Sequence, residues 1–249
     1  MLQTLSLYEK YHQKTKPQRR LIKKKNFTYR LILSTLEPYL IDRKKILDIG
    51  CGAGTLSFYM ASRGNYVRGI DISSKAIGAC KISAQNLGII QNTIFRVARF
   101  PKVTIDESFD LVLCVETLEH LIKDSLAIKK ISGYLKTNGI TIISIPSIEA
   151  PLHRLGLTRK FDRRVGHLRR YNLNKITKLL KKEKLQIIEI KKTEGLIRSL
   201  LFTSEYTALI VRAANKFSVL SDIFTFLDNI SLKLFGESQI IIVAQKPKV

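Results

Sequence analysis

The chain has 249 residues, 45% of them hydrophobic and 25% charged, which is ordinary for a globular protein and sufficient for one sizeable core. Its 43 lysines and arginines against 20 aspartates and glutamates give a formal net charge of +23. This excess favours contact with nucleic acid, a phosphate-bearing substrate or a membrane surface, although a lysine-rich composition explains it equally well. No apolar run is long enough to span a bilayer, so we expect no transmembrane segment.

The cysteines are Cys51, Cys80 and Cys114, and their spacing fits neither a metal site nor an even-numbered disulfide framework. Reduced thiols are typical of the cytoplasm. The first residues lack the pattern of a secretory signal. We therefore expect a cytoplasmic protein.

The N-terminal 43 residues are predicted to form a basic arm and a helical cap ahead of one α/β domain over 44–249. Residues 1–25 are polar and strongly basic, which is typical of a solvated or partly ordered arm. Asn26 is predicted to cap a helix that runs to Leu36 and ends before Pro38.

From Lys44 onward, short apolar runs alternate with helical segments. Strands are predicted over 46–49, 66–70, 93–97, 110–114, 140–145 and 185–191, and helices over 55–63, 74–87, 124–136 and 173–183. Such alternation predicts a parallel, doubly wound sheet with right-handed crossovers. Ligands of such sheets lie beyond the carboxyl ends of the strands, where the strand order reverses.

The first predicted strand runs into a glycine-rich turn, because residues 46–55 read ILDIGCGAGT. Glycines allow the backbone to turn sharply and to approach a ligand closely. The helix that follows directs backbone N–H groups and the positive end of its dipole at the turn. The second strand ends at Asp71, where a carboxylate can accept hydrogen bonds from ribose hydroxyls. Together these features predict a nucleoside-binding βαβ unit.

The glycine spacing differs from the dinucleotide fingerprint, since Gly54 comes one residue early and Asp48 precedes the first glycine. A carboxylate at that place suits a cofactor with an ammonium and a sulfonium better than a pyrophosphate. Together with residues 109–113 (FDLVL), the turn resembles the first motif of class I S-adenosylmethionine-dependent methyltransferases. The resemblance spans about residues 46–145. It implies S-adenosyl-L-methionine as cofactor and a Rossmann-like, mostly parallel, seven-stranded sheet whose last strand, 239–244, is antiparallel.

The resemblance also implies which residues contact the cofactor. They are Arg30, Asp48, Gly50, Cys51, Gly52, Gly54, Asp71, Ile72, Val97, Ala98, Cys114, Val115 and Glu116. By similarity to ubiquinone-type O-methyltransferases, Arg30 would pair with the methionine carboxylate, and a plain surface charge is the alternative. Related sequences carry an acid for the adenine amino group before the fourth strand. Here residues 96–100 read RVARF, so adenine recognition would depend on backbone groups, Ile72 and Val97.

After the fourth predicted strand, Leu118, Glu119 and His120 resemble the family's segment beside the sulfonium. His120 is therefore a candidate catalytic base, and a histidine that braces the loop is the alternative. Glu116, Glu119 and His120 also resemble the E-x-x-E-H arrangement of ubiquinone-type O-methyltransferases, which is associated with a divalent metal. Three residues on one short turn do not suffice to predict a metal, and we predict none.

The basic loop over 147–172 is expected to fold over the substrate, as in similar methyltransferases. It carries His167 as a second candidate base. Arg169, Arg170 and Tyr171 are predicted to bind substrate, because arginines clamp a phosphate or carboxylate well. The alternative is a turn whose arginines pair with nearby acids.

Residues 194–237 form an insertion that is very apolar but contains too many charges for a transmembrane helix. We predict two amphipathic helices. They either pack against each other and the sheet, cover a hydrophobic substrate, or rest on lipid with basic residues around them.

The sequence thus predicts a methyltransferase that acts on an oxygen nucleophile of a small-molecule or lipid-like acceptor with an anionic group, such as a quinone precursor or a polyprenyl-linked sugar. It would be cytoplasmic or peripheral on the inner face of an anionic membrane. The net charge supports an RNA methyltransferase as the alternative, but no N/D-P-P-Y-type tetrad follows the fourth strand. A non-catalytic nucleoside-fold scaffold at the membrane is the second alternative.

Overall fold

The computed structural model describes residues 2–204 and 206–248, with the backbone alone for residues 2–4 and 14. A seven-stranded sheet lies at its centre, in the order β3-β2-β1-β4-β5-β7-β6. The strands are β1 (Lys45–Ile49), β2 (Tyr66–Asp71), β3 (Thr93–Val97), β4 (Phe109–Val115), β5 (Leu135–Pro146), β6 (Gln186–Thr193) and β7 (Gln239–Gln245). Strands β1 to β5 pair in parallel, and β7 runs antiparallel between β5 and β6. This confirms the predicted fold.

Helices cover both faces of the sheet because its strands are apolar on both sides. The helices are α1 (Leu2–Tyr11), α2 (Arg30–Leu36), α3 (Thr55–Ala61), α4 (Ser74–Asn86), α5 (Asp124–Tyr134), α6 (Pro151–Arg154), α7 (Arg159–Val165), α8 (Leu173–Lys182), α9 (Leu196–Thr203), α10 (Ala208–Lys216) and α11 (Ser218–Phe235). On one face, Ile128 of α5 and Leu180 of α8 pack against the sheet. On the other face, Leu36 of α2 and Met60 of α3 do so.

Side-chain caps begin two of these helices. The Ser73 hydroxyl accepts a hydrogen bond from the Ala76 N–H of α4 at 3.2 Å. The Asn172 side chain accepts one from the Lys175 N–H of α8 at 2.7 Å. Both caps satisfy N–H groups that have no partner inside the helix.

Three local predictions differ from the structure. The helix expected from Asn26 begins only at Arg30, because the Asn26 side chain instead accepts the Tyr29 N–H at 3.1 Å and closes the preceding turn. Residues 2–11 form a helix rather than a loose arm. The described part of the insertion (194–204 and 206–237) contains three helices instead of two, and the extended Phe217 separates α10 from α11.

The predicted division of the chain after residue 43 stays a prediction. None of the helices in the described part of the chain has both the length and the apolar character needed to cross a bilayer.

Candidate active site

A cavity of about 680 Å³ opens at the carboxyl ends of β1, β2 and β4. This is the edge at which the strand order reverses, since β1 lies between β2 and β4. Its walls come from the glycine turn after β1, from α1 and α2, from the 147–172 loop and from α9. One cavity therefore joins the region predicted for the cofactor to the region predicted for the substrate.

The glycine turn has the backbone conformation that its sequence predicts. Gly50 and Gly52 have φ angles of +73° and +51°, in the left-handed region where other residues are strained. A Cβ on Gly50 would overlap the Thr117 side chain. Gly52 lies at the cavity wall, and a Cβ on it would lie 3.7 Å from the His12 ring. The backbone of the turn is thus directly accessible to a ligand. Gly54 lies behind it, against Phe58 and Cys80, and its contact with the cofactor stays a prediction.

Asp71 is held in place at the end of β2 by two backbone donors. Its Oδ2 accepts the Gly52 N–H at 2.9 Å, and its Oδ1 accepts the Ser73 N–H at 2.8 Å. Together with Ile72 it lines the cavity. Each carboxylate oxygen can accept a further hydrogen bond, so the group can bind a pair of hydroxyls without rearrangement.

Asp48 connects the end of β1 to α3, the helix that follows the same turn. It is 3% exposed and accepts a hydrogen bond from the Ser57 hydroxyl of α3 at 2.5 Å. Burial raises the pKa of the Asp48 carboxyl to about 6. Asp48 and Cys51 both line the cavity, so the buried acid and the turn share one of its walls.

Two predicted cofactor contacts on the strands face the wrong way. Val97 is 55% exposed, whereas the next residue, Ala98, lines the cavity. Cys114 is fully buried in the core, whereas Val115 lines the cavity. Ala98 and Val115 were also predicted, and since successive side chains along a strand point to opposite faces, only one residue of each predicted pair faces the cavity.

The prediction for Arg30 was also wrong. Its guanidinium group points toward α11, where it donates to the Ser221 and Thr225 hydroxyls at 3.1 and 3.0 Å and lies 3.0 Å from Asp222. Its neighbours Tyr29 and Leu31 line the cavity instead. Arg30 connects the N-terminal cap to the insertion.

The N-terminal helix supplies cavity residues that the sequence analysis missed. Tyr8, Tyr11 and His12 line the wall opposite the glycine turn. Glu9 fixes this helix to the start of α4, because its Oε1 accepts the Ser74 N–H at 2.6 Å. The Tyr8 hydroxyl is buried without a hydrogen-bond partner among the described residues. Burial and then the nearby Glu119 raise its pKa. The only sequence signal was the helical spacing of aromatic residues within a basic segment.

Both predicted catalytic histidines face the cavity and lie together, with ring centroids 4.9 Å apart. His120 Nδ1 lies 3.0 Å from the Gly166 carbonyl, which favours a proton on Nδ1 and a lone pair on Nε2. Burial lowers the pKa of His120 to about 4, so this imidazole is neutral at neutral pH. The Tyr8 ring packs edge-on against it at 5.6 Å.

His167 is oriented by a half-buried acid, Asp162. Its Nδ1 lies 3.0 Å from Asp162 Oδ1, and Arg170 holds the same carboxylate through Nη2 at 2.7 Å and Nε at 3.1 Å. Burial works against the charge of Asp162, but hydrogen bonds with His167 and Arg170 hold its pKa well below the usual range. An ionised Asp162 favours a proton on His167 Nδ1. The lone pair of His167 Nε2 is then free to take a proton.

Glu119 lies between the two histidines. Its Oε1 is 3.7 Å from His167 Nε2 and 3.9 Å from His120 Nε2. Both carboxyl oxygens are buried without a hydrogen-bond partner among the described residues. Burial and the neighbouring Glu116 raise the pKa of Glu119 well above its usual value. Such a group needs either a proton or a bound cation.

The structure groups a different set of potential metal ligands from the one that the sequence resembled. Glu116 accepts hydrogen bonds from Ser144 at 3.0 Å and from Gln239, so its carboxylate is engaged elsewhere. Ligand atoms of Glu119, His120 and His167 instead lie within 4.8 Å of one another. Imidazole and carboxylate suit zinc or manganese, and the unpartnered Glu119 oxygens fit a cation at this place. There, a divalent cation would polarise an acceptor hydroxyl, and it would occupy the lone pair of His167 Nε2 that otherwise accepts a proton.

The predicted substrate clamp is largely a set of structural ion pairs. Arg169 lies 2.8 Å from Asp124 and donates to the Ile122 carbonyl at 3.1 Å. Tyr171 is fully buried and donates to Asp124 at 3.1 Å. The prediction that these two residues bind substrate was wrong, because each is committed to the start of α5. Arg170 does line the cavity, although Asp162 occupies its guanidinium group.

The far end of the cavity contains a second polar group that sequence reasoning missed. Glu194 lines it, together with Glu116 and Gln239. Glu116 and Glu194 have φ angles of +48° and +58°, so both acids occupy strained left-handed positions. Burial raises the pKa of Glu194 to about 7. The apolar rings of Phe161 and Phe202 lie on the wall of the same cavity.

Comparisons with known proteins agree with this geometry. The profile of the methyltransferase domain family matches residues 41–192. A ubiquinone biosynthesis O-methyltransferase of Azoarcus sp. (strain BH72) is 36% identical over 101 residues, which are 41% of this chain and 43% of that protein. One from Pasteurella multocida is 36% identical over 113 residues, which are 41% and 46% of the two chains. The match thus spans less than half the length of these relatives.

Solved structures share the fold at low sequence identity. Phosphoethanolamine N-methyltransferase 2 of Haemonchus contortus, in complex with S-adenosyl-L-methionine, matches with a TM-score of 0.66 and 19% identity over 88% of this chain and 53% of its own. N-methyltransferase NodS of Bradyrhizobium japonicum, in complex with S-adenosyl-L-homocysteine, matches with a TM-score of 0.62 and 16% identity over 98% of this chain and 99% of its own. As the family profile covers more than half of the chain, and the sheet order and glycine turn agree with it, this protein belongs to the class I S-adenosylmethionine-dependent methyltransferases.

Proposed function

We propose that this protein transfers the methyl group of S-adenosyl-L-methionine to an oxygen nucleophile on a small, lipid-like acceptor. The observation that carries the proposal is the single cavity that joins Asp71 and the glycine turn to the histidines His120 and His167. A donor bound at one end and an acceptor bound at the other would meet in the middle, and alignment is the main task of a methyltransferase.

On this proposal, the glycine turn and Asp71 bind the adenosyl part of the cofactor. Asp71 accepts the ribose hydroxyls, and Ile72 and Ala98 border the adenine. Val115 and Glu116, which follow at the end of β4, lie nearer the methionine part. All of these residues line the cavity. The methyl group then points toward the turn Leu118–His120.

His167 is the proposed base, and Asp162 orients it. The acceptor hydroxyl gives its proton to His167 Nε2 while its oxygen attacks the methyl carbon opposite the sulfur. The carbon–sulfur bond breaks, and its electrons return to the sulfur, which leaves S-adenosyl-L-homocysteine. His120, neutral because of its burial, is placed to accept a hydrogen bond from the same acceptor.

The shape of the cavity supports an acceptor with an apolar body and polar substituents. Phe161 and Phe202 provide apolar walls, while Glu194 and Gln239 provide hydrogen-bonding groups at the far end. The ubiquinone biosynthesis O-methyltransferases that match this chain are named for a reaction at oxygen. We further propose that the protein works in the cytoplasm at the inner face of the membrane, where it would meet a lipid-like acceptor.

The test is a methyl-transfer screen with S-adenosyl-L-methionine labelled in the methyl group. Purified protein is incubated with lipid, quinone and RNA extracts, and the label is followed into each fraction. We expect label in an organic-soluble product and none after His167→Ala. Label in RNA would establish the nucleic-acid alternative suggested by the net charge. Failure to bind cofactor would establish a non-catalytic scaffold.

A further inference from the structure

Helix α11 buries polar side chains and exposes apolar ones, the reverse of a typical surface helix. Its buried residues are polar, namely Ser221, Asp228 and Ser231. On its outer side, Phe226 is 65% exposed and Leu234 is 70% exposed. An amphipathic helix on a soluble protein usually buries the apolar side. The outer side of α11 therefore has the composition of a face that contacts an apolar phase.

Specific hydrogen bonds fix this orientation. Asp228 accepts the N–H groups of Gly195 and Arg198 at 3.0 and 2.8 Å, so it supplies the N-terminal cap that α9 lacks in its own sequence. Ser221 donates to the Lys25 carbonyl at 2.7 Å and accepts from Arg30 at 3.1 Å. Rotation of α11 to bury its apolar side would leave these buried polar groups without partners, which is costly.

Helix α10 extends the apolar surface. Leu209 is 72% exposed and Ile210 is 42% exposed, and Phe217 at the junction of the two helices is 52% exposed. We call the set of outward side chains the apolar face of α10 and α11. It consists of Leu209, Ile210, Phe217, Val219, Ile223, Phe226, Leu227, Ile230, Leu234 and Phe235, each at least 41% exposed. Contiguous apolar patches of this kind mark interaction sites in soluble proteins.

Positive charges border this face. The Lys216 ammonium lies 5.3 Å from the centre of the Phe217 ring, and Arg154 donates to the Phe235 carbonyl at 3.1 Å. Lys233 lies on α11 itself and is exposed. Helix α10 has no acidic residue, and the acids of α11 are engaged, Asp222 with Lys25 and Arg30 and Asp228 with α9.

We propose that the apolar face of α10 and α11 docks this protein on an anionic lipid surface. Apolar side chains would enter the interface while the surrounding lysines and arginines contact lipid phosphates, as in other interfacial helices. A second copy of the chain is a poor occupant, because it would bring two cationic rims together on a protein with net charge +23.

Docking would place the lipid next to the acceptor site. Helix α9 follows directly on Gly195, which Asp228 of α11 caps, and its Ser199 and Phe202 line the cavity. Helices α11 and α9 would then separate a lipid-like acceptor at this surface from the cavity. This role of the docked state rests on the proposed function, whereas the docking itself does not.

The test is cosedimentation of the full chain with vesicles of phosphatidylcholine alone or with one fifth phosphatidylglycerol. We expect binding to the anionic vesicles and a loss of at least tenfold in partitioning for the double variant Phe226→Asp with Leu234→Asp. Lys216→Gln and Lys233→Gln should each weaken binding to anionic vesicles by roughly fivefold. Ile82→Asp is the matched control, because Ile82 is a half-exposed apolar residue on α4 and should change nothing.

Cofactor-dependent thermal stabilisation of each variant reports whether it is folded. The proposal is overturned if the wild-type chain does not sediment with anionic vesicles, or if Ile82→Asp loses as much binding as the double variant. It is also overturned if light scattering shows a dimer that the double variant converts to a monomer while vesicle binding is absent. If the wild-type chain bound anionic vesicles but transferred no methyl group, only the proposed function would be refuted.

Discussion

Replacing Asp71 with asparagine tests the cofactor site without any knowledge of the acceptor. The carboxylate accepts the Gly52 and Ser73 N–H groups at 2.9 and 2.8 Å, and on the proposed function its remaining lone pairs accept both ribose hydroxyls. Asparagine has nearly the same shape but only one acceptor oxygen. One hydrogen bond to ribose is therefore lost, and the other is no longer charge-assisted.

The expected magnitude follows from the strength of such bonds. A hydrogen bond to a charged group contributes about 1.5–3 kcal/mol, so losing one and weakening another should cost about 3 kcal/mol of binding free energy. That corresponds to roughly a 100-fold rise in Kd for S-adenosyl-L-homocysteine. Isothermal titration calorimetry measures it directly. The thermal midpoint without ligand should fall slightly, because the NH2 group of asparagine cannot accept a hydrogen bond from the backbone N–H that it faces.

Asp106→Asn is the matched control, because Asp106 is exposed and the same charge is removed outside the cavity. It should leave Kd within a factor of about two, as long-range electrostatics are screened at physiological salt. If Asp71→Asn bound the cofactor product within threefold of the wild-type chain, Asp71 would not hold the ribose. The placement of the cofactor proposed above would then fall.

Three further predictions concern the histidine cluster. His167→Ala and Asp162→Asn should lower kcat about 10²–10⁴-fold while the Kd for S-adenosyl-L-homocysteine stays unchanged; equal turnover in either variant would remove that pair from the mechanism. Burial lowers the pKa of His120 to about 4, below its value of about 6.5 in the unfolded chain. Between these two values the unfolded chain binds a proton that the folded chain does not. The contribution of His120 to the free energy of unfolding therefore falls as the pH drops from about 6.5 to 4. The free energy of unfolding, measured by urea titration at each pH, should therefore fall more steeply with decreasing pH in the wild type than in His120→Asn. The same pH dependence in both proteins would contradict the prediction. Zinc added to chelator-treated protein should raise Tm through Glu119, His120 and His167, and Glu119→Gln should abolish the rise; a rise that survives in the variant would place the metal elsewhere.

The sheet and the glycine turn could be predicted because their signals are local. Each strand is an apolar run of a few residues, and the turn requires glycines at positions where φ is positive. Asp71 was found by the same reasoning, since the end of β2 follows directly from its strand pattern. Errors arose where two neighbouring residues were predicted together, as with Val97 and Cys114, because successive side chains along a strand point to opposite faces.

Contacts between distant parts of the chain could not be predicted. Arg30 was assigned to the cofactor by resemblance. Its partners in the structure, Ser221 and Thr225, lie more than 190 residues later in the sequence, so no local pattern could indicate them. Glu194 was missed because nothing local shows that the end of β6 faces the same cavity as Glu116. The pairing of Arg170 with Asp162 was weighed as an alternative, but only the fold could decide it.

The position of α1 has a consequence for turnover. Tyr8, Tyr11 and His12 wall the cavity opposite the glycine turn, and the exposed contact between Glu9 and the Ser74 N–H anchors this helix. On the proposed function, a spent donor molecule would lie next to this helix. The Glu9 contact would then influence how fast the product leaves the cavity.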